Sequence, residues 1–390
     1  MACAEGHQPT VTPPPLKVVM VITGLGTGGA EAMLEKLIGA LSPAFAPQVV
    51  SLTNLGEVGP RLQQRGVVVT ALAMRPGRPS LAALWRLTHL LRRLRPDVVH
   101  TWMYHADLLG GIAARLAGVP AVLWGVRHSN LDPALNKRST LRVMRACALL
   151  SRRVPTRITC AATRARDAHV AAGYAAERMV VIPNGFDLDR FRPDACAREE
   201  VRAELGLPAA APLVGMVGRF DAQKNHAGFA QAAAFLLQQQ PDVRFLLAGS
   251  GVDVDNAVLM GWLKAAGVAA ACVLLGRRED VPRLMAALDV LVLPSLGEAF
   301  PNVLGEAMAC GVPCVACDVG DCAEIVTDAG RVVPAGDMRA LAVAAAELLA
   351  LAPAERAALS RAAQADVRRR FEIGTVAARY QDLYLQMTHR

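Results

Sequence analysis

Two glutamates, Glu298 and Glu306, stand eight residues apart in the segment GEAFPNVLGEAMACGVPCVACDVGDC, residues 297–322. A carboxylate pair can move protons or hold sugar hydroxyls. The same segment carries Cys310, Cys314, Cys317 and Cys322, four of the chain's nine cysteines, at C-x3-C-x2-C-x4-C spacing. Thiolates in such numbers could ligate zinc or an iron–sulfur centre if they converged on one point. Upstream, GRFDAQKN (218–225) brings Arg219 and Lys224 to the end of an apolar run. A planar fork of donors beside a mobile point charge suits a diphosphate. Near the start, Gly24-Leu25-Gly26-Thr27-Gly28-Gly29 formally matches G-x-G-x-x-G. His105 in WMYHADLLG and His128 in LWGVRHSN also fall close to the ends of apolar runs.

The elements that must carry these residues decide between the chemistries. LKVVMVIT (16–23) reads as a strand, followed by the glycine turn and a helix over roughly 29–41. Further strands are PQVVSLT, GVVVTAL, DVVHTW, AVLWGV, RITCAA and MVVIP, with helical periodicity between most of them. After VVIPNGFDLDRFRPD (180–194), which has two prolines, an Asn-Gly turn and no helical period, a second series begins at APLVGMVG. It continues through VRFLLAGSG, ACVLLG, DVLVLP, PCVAC and RVVP, and two helical patterns close the chain. Alternation of this kind predicts α/β architecture: two doubly wound, Rossmann-like domains facing a central cleft, with ligand edges at the carboxyl ends of their strands.

On that frame the motifs sort themselves. A dinucleotide site needs an acid about 20 residues beyond its glycines to hold the ribose. Here the second strand ends in Leu52-Thr53-Asn54, so NAD is disfavoured. The loop around Gly26, Gly28 and Gly29 keeps the capacity to let backbone approach a phosphate or sugar at a helix N-terminus. Cys314 and Cys317 lie three apart on one short strand and face opposite sides, so the four thiols do not converge. They read as small core residues, and no metal is expected. Glu298 falls in the loop after DVLVLPS, Pro301 suits the first turn of the next helix, and Glu306 follows one turn in. The N–H groups of Asn302, Val303 and Leu304 form an expected anion nest between the two carboxylates. That order matches sugar, phosphate and ribose in a nucleotide-sugar.

Composition narrows the partners. The 390 residues carry a formal charge of +8, with 53% hydrophobic and 4% aromatic residues. Disorder and a membrane span are both excluded by these patterns. Few aromatics argue against nucleic acid, which needs stacking platforms. The first 15 residues lack the basic and apolar regions of a secretory signal and read as a flexible Pro-rich tail. A cytoplasmic protein with free thiols is expected. Residues 134–165 hold eight Lys and Arg and no acid, and LWRLTHLLRRLR (84–95) is similar. Basic amphipathic helices of this kind lie on anionic lipid.

The segment GEAFPNVLGEAMACGVPCVACDVGD resembles the E-x7-E signature of retaining glycosyltransferases of family 4, which have the GT-B fold. The resemblance extends to LGTGGAE (25–31), GRFDAQKN, VVIPNGFD and LLGRREDVPRLMAALDVLVLPS, in the family's order. It implies an acceptor-binding domain over 16–185, a nucleotide-sugar-binding domain over 186–372, and a C-terminal helix over 373–390 packed back on the first domain. It further implies that Glu298 faces the donor sugar and Glu306 the ribose, with Phe300, Pro301, Asn302 and Val303 alongside. Arg219 and Lys224 would hold the diphosphate without a metal, and Arg277 and Arg278 would contact the base. A histidine at the end of an N-domain strand contacts the donor sugar in this family. His128 is the first choice, with His105 as a second cleft residue on the acceptor side. The implied reaction moves a sugar, by family habit from UDP, to an acceptor hydroxyl such as that of a polyprenyl-linked glycan, at the inner face of a membrane. A nucleotide-sugar 2-epimerase, a glycoside hydrolase and a non-enzymatic nucleotide-sugar-binding protein remain the rivals.

Overall fold

The computed structural model describes residues 14–75, 81–127, 131, 137–208 and 210–388. The apolar runs of the first half form β1 (Leu16–Ile22), β2 (Phe45–Ser51), β3 (Val68–Ala71), β4 (Val98–Trp102), β5 (Ala121–Val126), β6 (Arg157–Cys160) and β7 (Met179–Val181). The amphipathic segments between them form α1 (Gly29–Ala40), α2 (Val58–Gln64), α3 (Leu81–Leu94), α4 (Tyr104–Ala117), α5 (Arg138–Leu150) and α6 (Thr163–Ala171). The second half opens with α7 (Ala195–Glu204) and supplies β8 (Leu213–Val217), β9 (Arg244–Ala248), β10 (Cys272–Leu274), β11 (Val290–Leu293), β12 (Cys314–Cys317) and β13 (Gly330–Val333). Its strands alternate with α8 (His226–Gln239), α9 (Ala257–Ala265), α10 (Val281–Ala287), α11 (Asn302–Ala309) and α12 (Cys322–Val326). The closing helices are α13 (Met338–Ala350), α14 (Pro353–Phe371) and α15 (Ile373–Thr388).

Both sheets are parallel throughout, in the orders β3-β2-β1-β4-β5-β6-β7 and β10-β9-β8-β11-β12-β13. In each, the chain winds outward on one side and then restarts on the other. The order therefore reverses between β1 and β4, and between β8 and β11. A doubly wound sheet opens its ligand crevice at that reversal, beyond the carboxyl ends of the strands. The segments after β1, β4, β8 and β11 are the ones so placed. The first, third and fourth are loops with the glycine motif, Lys224 and Glu298, and the second is the first turn of α4, with His105.

Each sheet is covered on both faces, which is why its strands read as continuous apolar runs rather than alternating ones. Val18, Met20 and Ile22 of β1 pack with Leu34 of α1 and with Val376 and Tyr380 of α15, while Val19 and Val21 pack with Leu87, Val122 and Met144 on the other face. Burial of each such side chain contributes about 1.5–3 kcal/mol, so these layers, not the polar loop contacts, hold the domains. Helix α15 thus completes the core of the N-terminal domain. The chain crosses between domains twice at one place: the Phe186 N–H donates to the Phe371 carbonyl at 2.7 Å, and the Ile373 N–H to the Phe186 carbonyl at 2.9 Å. Gly305 lets this crossing seat against α11, because a Cβ there would overlap the Phe186 ring.

Two sequence expectations change. Among the described residues, the basic stretch 134–165 is not one helix: α5 ends at Leu150, a turn and β6 from Arg157 follow, and α6 begins at Thr163. Pro301 is the N-cap of α11 with extended backbone (φ −72°, ψ 100°), one position before the first turn. Among the described residues, no helix is long and apolar enough to cross a membrane. Of the Pro-rich tail, residues 1–13 lie outside the described residues.

Candidate active site

A cavity of about 740 Å³ opens between the two domains at the carboxyl ends of both sheets. Its C-domain wall begins with the loop after β8. Asp221 accepts from the Gln223 N–H at 2.9 Å, and Asn225, in left-handed conformation at φ 56°, caps α8 through the Gly228 N–H at 3.0 Å. These two caps fix the turn from which Lys224 extends. Its ammonium meets Glu298 Oε1 at 2.6 Å, and the Ser295 hydroxyl donates to the same oxygen at 2.7 Å. The pair joins the ends of β8 and β11, the two strands flanking the reversal. Arg219 also lines the cavity, with its guanidinium largely exposed and Nε 3.2 Å from Asp221.

Helix α11 forms the floor. Phe300, Pro301, Asn302, Val303 and Glu306 all line the cavity. Phe300 also stacks on Phe186, at the crossing between the domains, with centroids 6.2 Å apart. The Leu304 N–H already bonds the Pro301 carbonyl at 3.2 Å, which reduces the expected three-donor nest to Asn302 and Val303. Glu306 receives Lys36 Nζ from α1 at 3.5 Å, an ion pair across the cleft.

The N-domain wall carries Gly28, Gly29, Glu31, His105 and Arg127. Gly26 does not line the cavity, and the Glu31 carboxylate packs over Gly28 at the start of α1, where the glycine loop predicts a phosphate or a sugar. His105 follows Met103, whose backbone (φ 72°, ψ 155°) lies in a region that L residues rarely occupy. Strain of this sort persists where the surroundings over-determine it; here the Met103 N–H is held by the Gly125 carbonyl at 3.0 Å. Beneath it, buried Asp107 accepts from the Thr101 hydroxyl at 2.5 Å and the Gly125 N–H at 3.2 Å, tying the ends of β4 and β5. Burial pushes this carboxyl up to about 7, against the pull of those two bonds. Burial likewise holds His105 below its ordinary value, so its imidazole is neutral over more of the physiological range. His128 lies outside the described residues.

Arg127, one residue before it, was not singled out by the sequence. It stacks on the Trp102 ring at 4.1 Å and donates to Asn184 at 2.8 Å and to the Tyr380 hydroxyl at 2.7 Å. Asn184 in turn donates to Asn302 at 2.9 Å. A polar chain therefore runs from β5 through the linker to the start of α11. The signal available was position: Arg127 directly follows β5. Lys36 and Glu31 gave none, since a charged residue on an amphipathic helix is ordinarily solvated.

Arg277 and Arg278 are not part of this cavity. Arg277 pairs with Glu57 of the N-terminal domain at 2.7 Å, and Arg278 with Asp280 at 2.7 Å and Glu204 at 2.8 Å. The four clustered cysteines are buried and free. Burial raises Cys310 and Cys322 to about 12 and Cys314 further, which keeps these thiols protonated and poor nucleophiles.

Comparison with known proteins follows this division. Residues 27–190 match the family model Glycosyltransferase Family 4, and residues 211–351 match Glycosyl transferases group 1. Over 243 residues the chain is 32% identical to the UDP-Gal:alpha-D-GlcNAc-diphosphoundecaprenol alpha-1,3-galactosyltransferase of Escherichia coli, covering 62% of each protein. It is 31% identical to the 2-deoxystreptamine glucosyltransferase of Streptomyces kanamyceticus over 290 residues, 70% of this chain and 72% of that one. The Anabaena protein HepE in complex with UDP superposes with a TM-score of 0.82 at 25% identity, covering 94% of this chain and 99% of HepE. With matching models on both domains and the two-sheet GT-B architecture between them, the chain belongs to glycosyltransferase family 4.

Proposed function

We propose that the cleft transfers a sugar from a UDP-sugar to the hydroxyl of a lipid-linked glycan, with retention of configuration and without a metal. The observation that carries this reading is the convergence of Lys224 and Glu298 at 2.6 Å on the reversal of the second sheet, on one wall with Glu306. Arg219 and Lys224 hold the diphosphate and stabilise the charge that grows on it as the glycosidic bond breaks. Glu298 faces the donor sugar, and Glu306 accepts from the ribose diol. The leaving phosphate oxygen takes the acceptor proton on the same face of the sugar, so no separate protein base is required. His105 stands on the acceptor side. UDP is favoured by the bound nucleotide of HepE and by the name of the galactosyltransferase, and that second name also favours a polyprenyl-diphosphate acceptor.

The N-domain surface supports a membrane-bound acceptor. Helices α3 and α5 both pack on α4 and expose Arg86, Arg92, Arg93, Arg138, Arg142 and Arg145, and neither helix contains an acid. Among these arginines Leu81 is 86% exposed, Trp85 62% and Leu149 83%. Apolar and indole side chains ringed by arginine suit the interface of an anionic bilayer, at about 1 kcal/mol per basic residue near the surface. The test supplies GlcNAc-diphosphoundecaprenol in vesicles with and without phosphatidylglycerol, together with UDP-glucose, UDP-galactose or UDP-GlcNAc. Equal yields of UDP and glycosylated lipid are expected, faster on anionic vesicles, with the advantage lost as salt rises. Free sugar without lipid product, or an epimerised donor without acceptor, contradicts the transfer. Equal rates on neutral and anionic vesicles contradict the membrane surface.

A further inference from the structure

We propose that Asp321 is a positioning residue for the transfer: it caps a helix of the opposite domain and so couples closure of the cleft to the loop that carries Glu298. Helix α6 has Ala162 at its N-cap, a side chain that can accept nothing. Its first donors are instead taken from across the cleft. The Thr163 N–H donates to Asp321 Oδ2 at 2.6 Å, and the Arg164 N–H to Oδ1 at 3.0 Å. A carboxylate at a helix N-terminus gains from the helix dipole as well as from its hydrogen bonds. Asp321 is 4% exposed, so the contact is screened little by solvent.

The backbone of the same residue reaches the catalytic loop. The Asp321 N–H donates to the Ala299 carbonyl at 3.1 Å. Gly320, at φ 52°, lies so close on the chain that a Cβ would overlap the Glu298 and Ala299 carbonyl oxygens. One residue thus touches the N-terminal domain through its side chain and the Glu298 loop through its main chain. Ala161, Ala162 and Ala165 share a buried cluster with Phe186 and Phe300, so the joint is apolar around its charged centre. The nearby Arg164–Asp318 pair, 2.7 Å long and half exposed at both ends, is on the rim and contributes little. Closing the domains seats the carboxylate on α6; opening them frees it, and the strand-end loop holding Glu298 loses that anchor. Closure also excludes water from the donor, which favours transfer over hydrolysis. The inference rests on the domain arrangement, not on which nucleotide-sugar is used.

The test compares Asp321→Ala, Asp321→Asn and the rim control Asp318→Ala by amide hydrogen exchange, without substrate. Asp321→Ala is expected to speed exchange both in the first turn of α6 and in residues 297–300, with Asp321→Asn intermediate and Asp318→Ala unchanged. Adding Ala162→Ser to Asp321→Ala gives α6 a local cap. Exchange in α6 should then recover while the 297–300 loop stays fast. For whichever of UDP-glucose, UDP-galactose and GDP-mannose the unmodified chain consumes, kcat should fall about 10- to 100-fold in Asp321→Ala, with the larger change in kcat than in KM. Loop exchange that stays slow in Asp321→Ala and Asp321→Asn, or recovers with the local cap, overturns the proposal and leaves Asp321 a structural cap.

Discussion

Replacing Lys224 with alanine is expected to lower turnover about 10²- to 10³-fold, the usual effect of removing one preorganised donor from a site of developing charge. The ammonium sits 2.6 Å from Glu298 at the end of β8, and its side chain is 18% exposed. In the proposed reaction it would face the oxygens on which negative charge accumulates as the nucleoside diphosphate leaves. The fold should survive the change, because the turn is held by the Asp221 and Asn225 caps and not by the lysine side chain. Glu298 keeps the Ser295 hydroxyl, and the cavity offers it water. Arginine at 224 should restore little, since a planar fork does not reproduce a compact ammonium at that spacing. Glu298→Ala and Lys224→Ala should combine with less than the sum of their separate losses, as contacting residues do. Turnover in Lys224→Ala equal to that of the unmodified chain contradicts the diphosphate assignment.

The second large effect concerns stability rather than chemistry. Asp289 precedes β11 and accepts from Arg198 at 2.6 Å, Arg202 at 2.7 Å and the Leu213 N–H at 2.8 Å. Asp289 is 8% exposed and Arg202 4%. Alanine at 289 removes the carboxylate that Arg198 and Arg202 share, and breaking a buried ion pair by removing one partner costs about 3–5 kcal/mol. Burial already depresses the Arg202 pKa, the sign expected of a cation drawn out of water. Asparagine keeps one acceptor and should recover part of the loss. The site lies at the opposite end of β11 from Ser295, roughly 20 Å away at about 3.3 Å per residue. Urea unfolding should therefore shift the C-domain transition to lower denaturant while turnover per folded molecule is unchanged. An unshifted transition contradicts the buried-network account.

The central strands were legible because they are buried on both faces, so DVLVLP and LKVVMVI announce themselves without alternation. The loops bearing Lys224 and Glu298 were legible for a related reason, since a doubly wound sheet puts its ligands at strand carboxyl ends. What the sequence could not carry was pairing between distant residues. Lys36 and Glu306 are 270 residues apart, and Arg277 and Glu57 are 220 apart. Nothing local to either member names its partner. The family resemblance places Arg277 and Arg278 at the base, whereas carboxylates hold them here in ion pairs outside the cavity. Gly26 failed similarly, because a glycine motif does not say which of its residues faces the cleft. Pro301 was displaced by one position, the ordinary uncertainty of a helix end. Asp321 reads locally as part of a Gly-Asp turn, and its role at α6 appears only when the domains are brought together.

The central claim is that the cleft binds a nucleotide-sugar through the carboxylate wall of α11. Calorimetric titration of UDP and UDP-sugars into the unmodified chain and Glu306→Ala tests it most directly. Hydrogen bonds to a charged partner contribute about 1.5–3 kcal/mol, so loss of the ribose contact should weaken binding about 10- to 100-fold. Binding by the unmodified chain, weakened to that extent in Glu306→Ala, is the expected result. Equal affinities in the two proteins, or no binding of any of these nucleotides by the unmodified chain, would contradict the account.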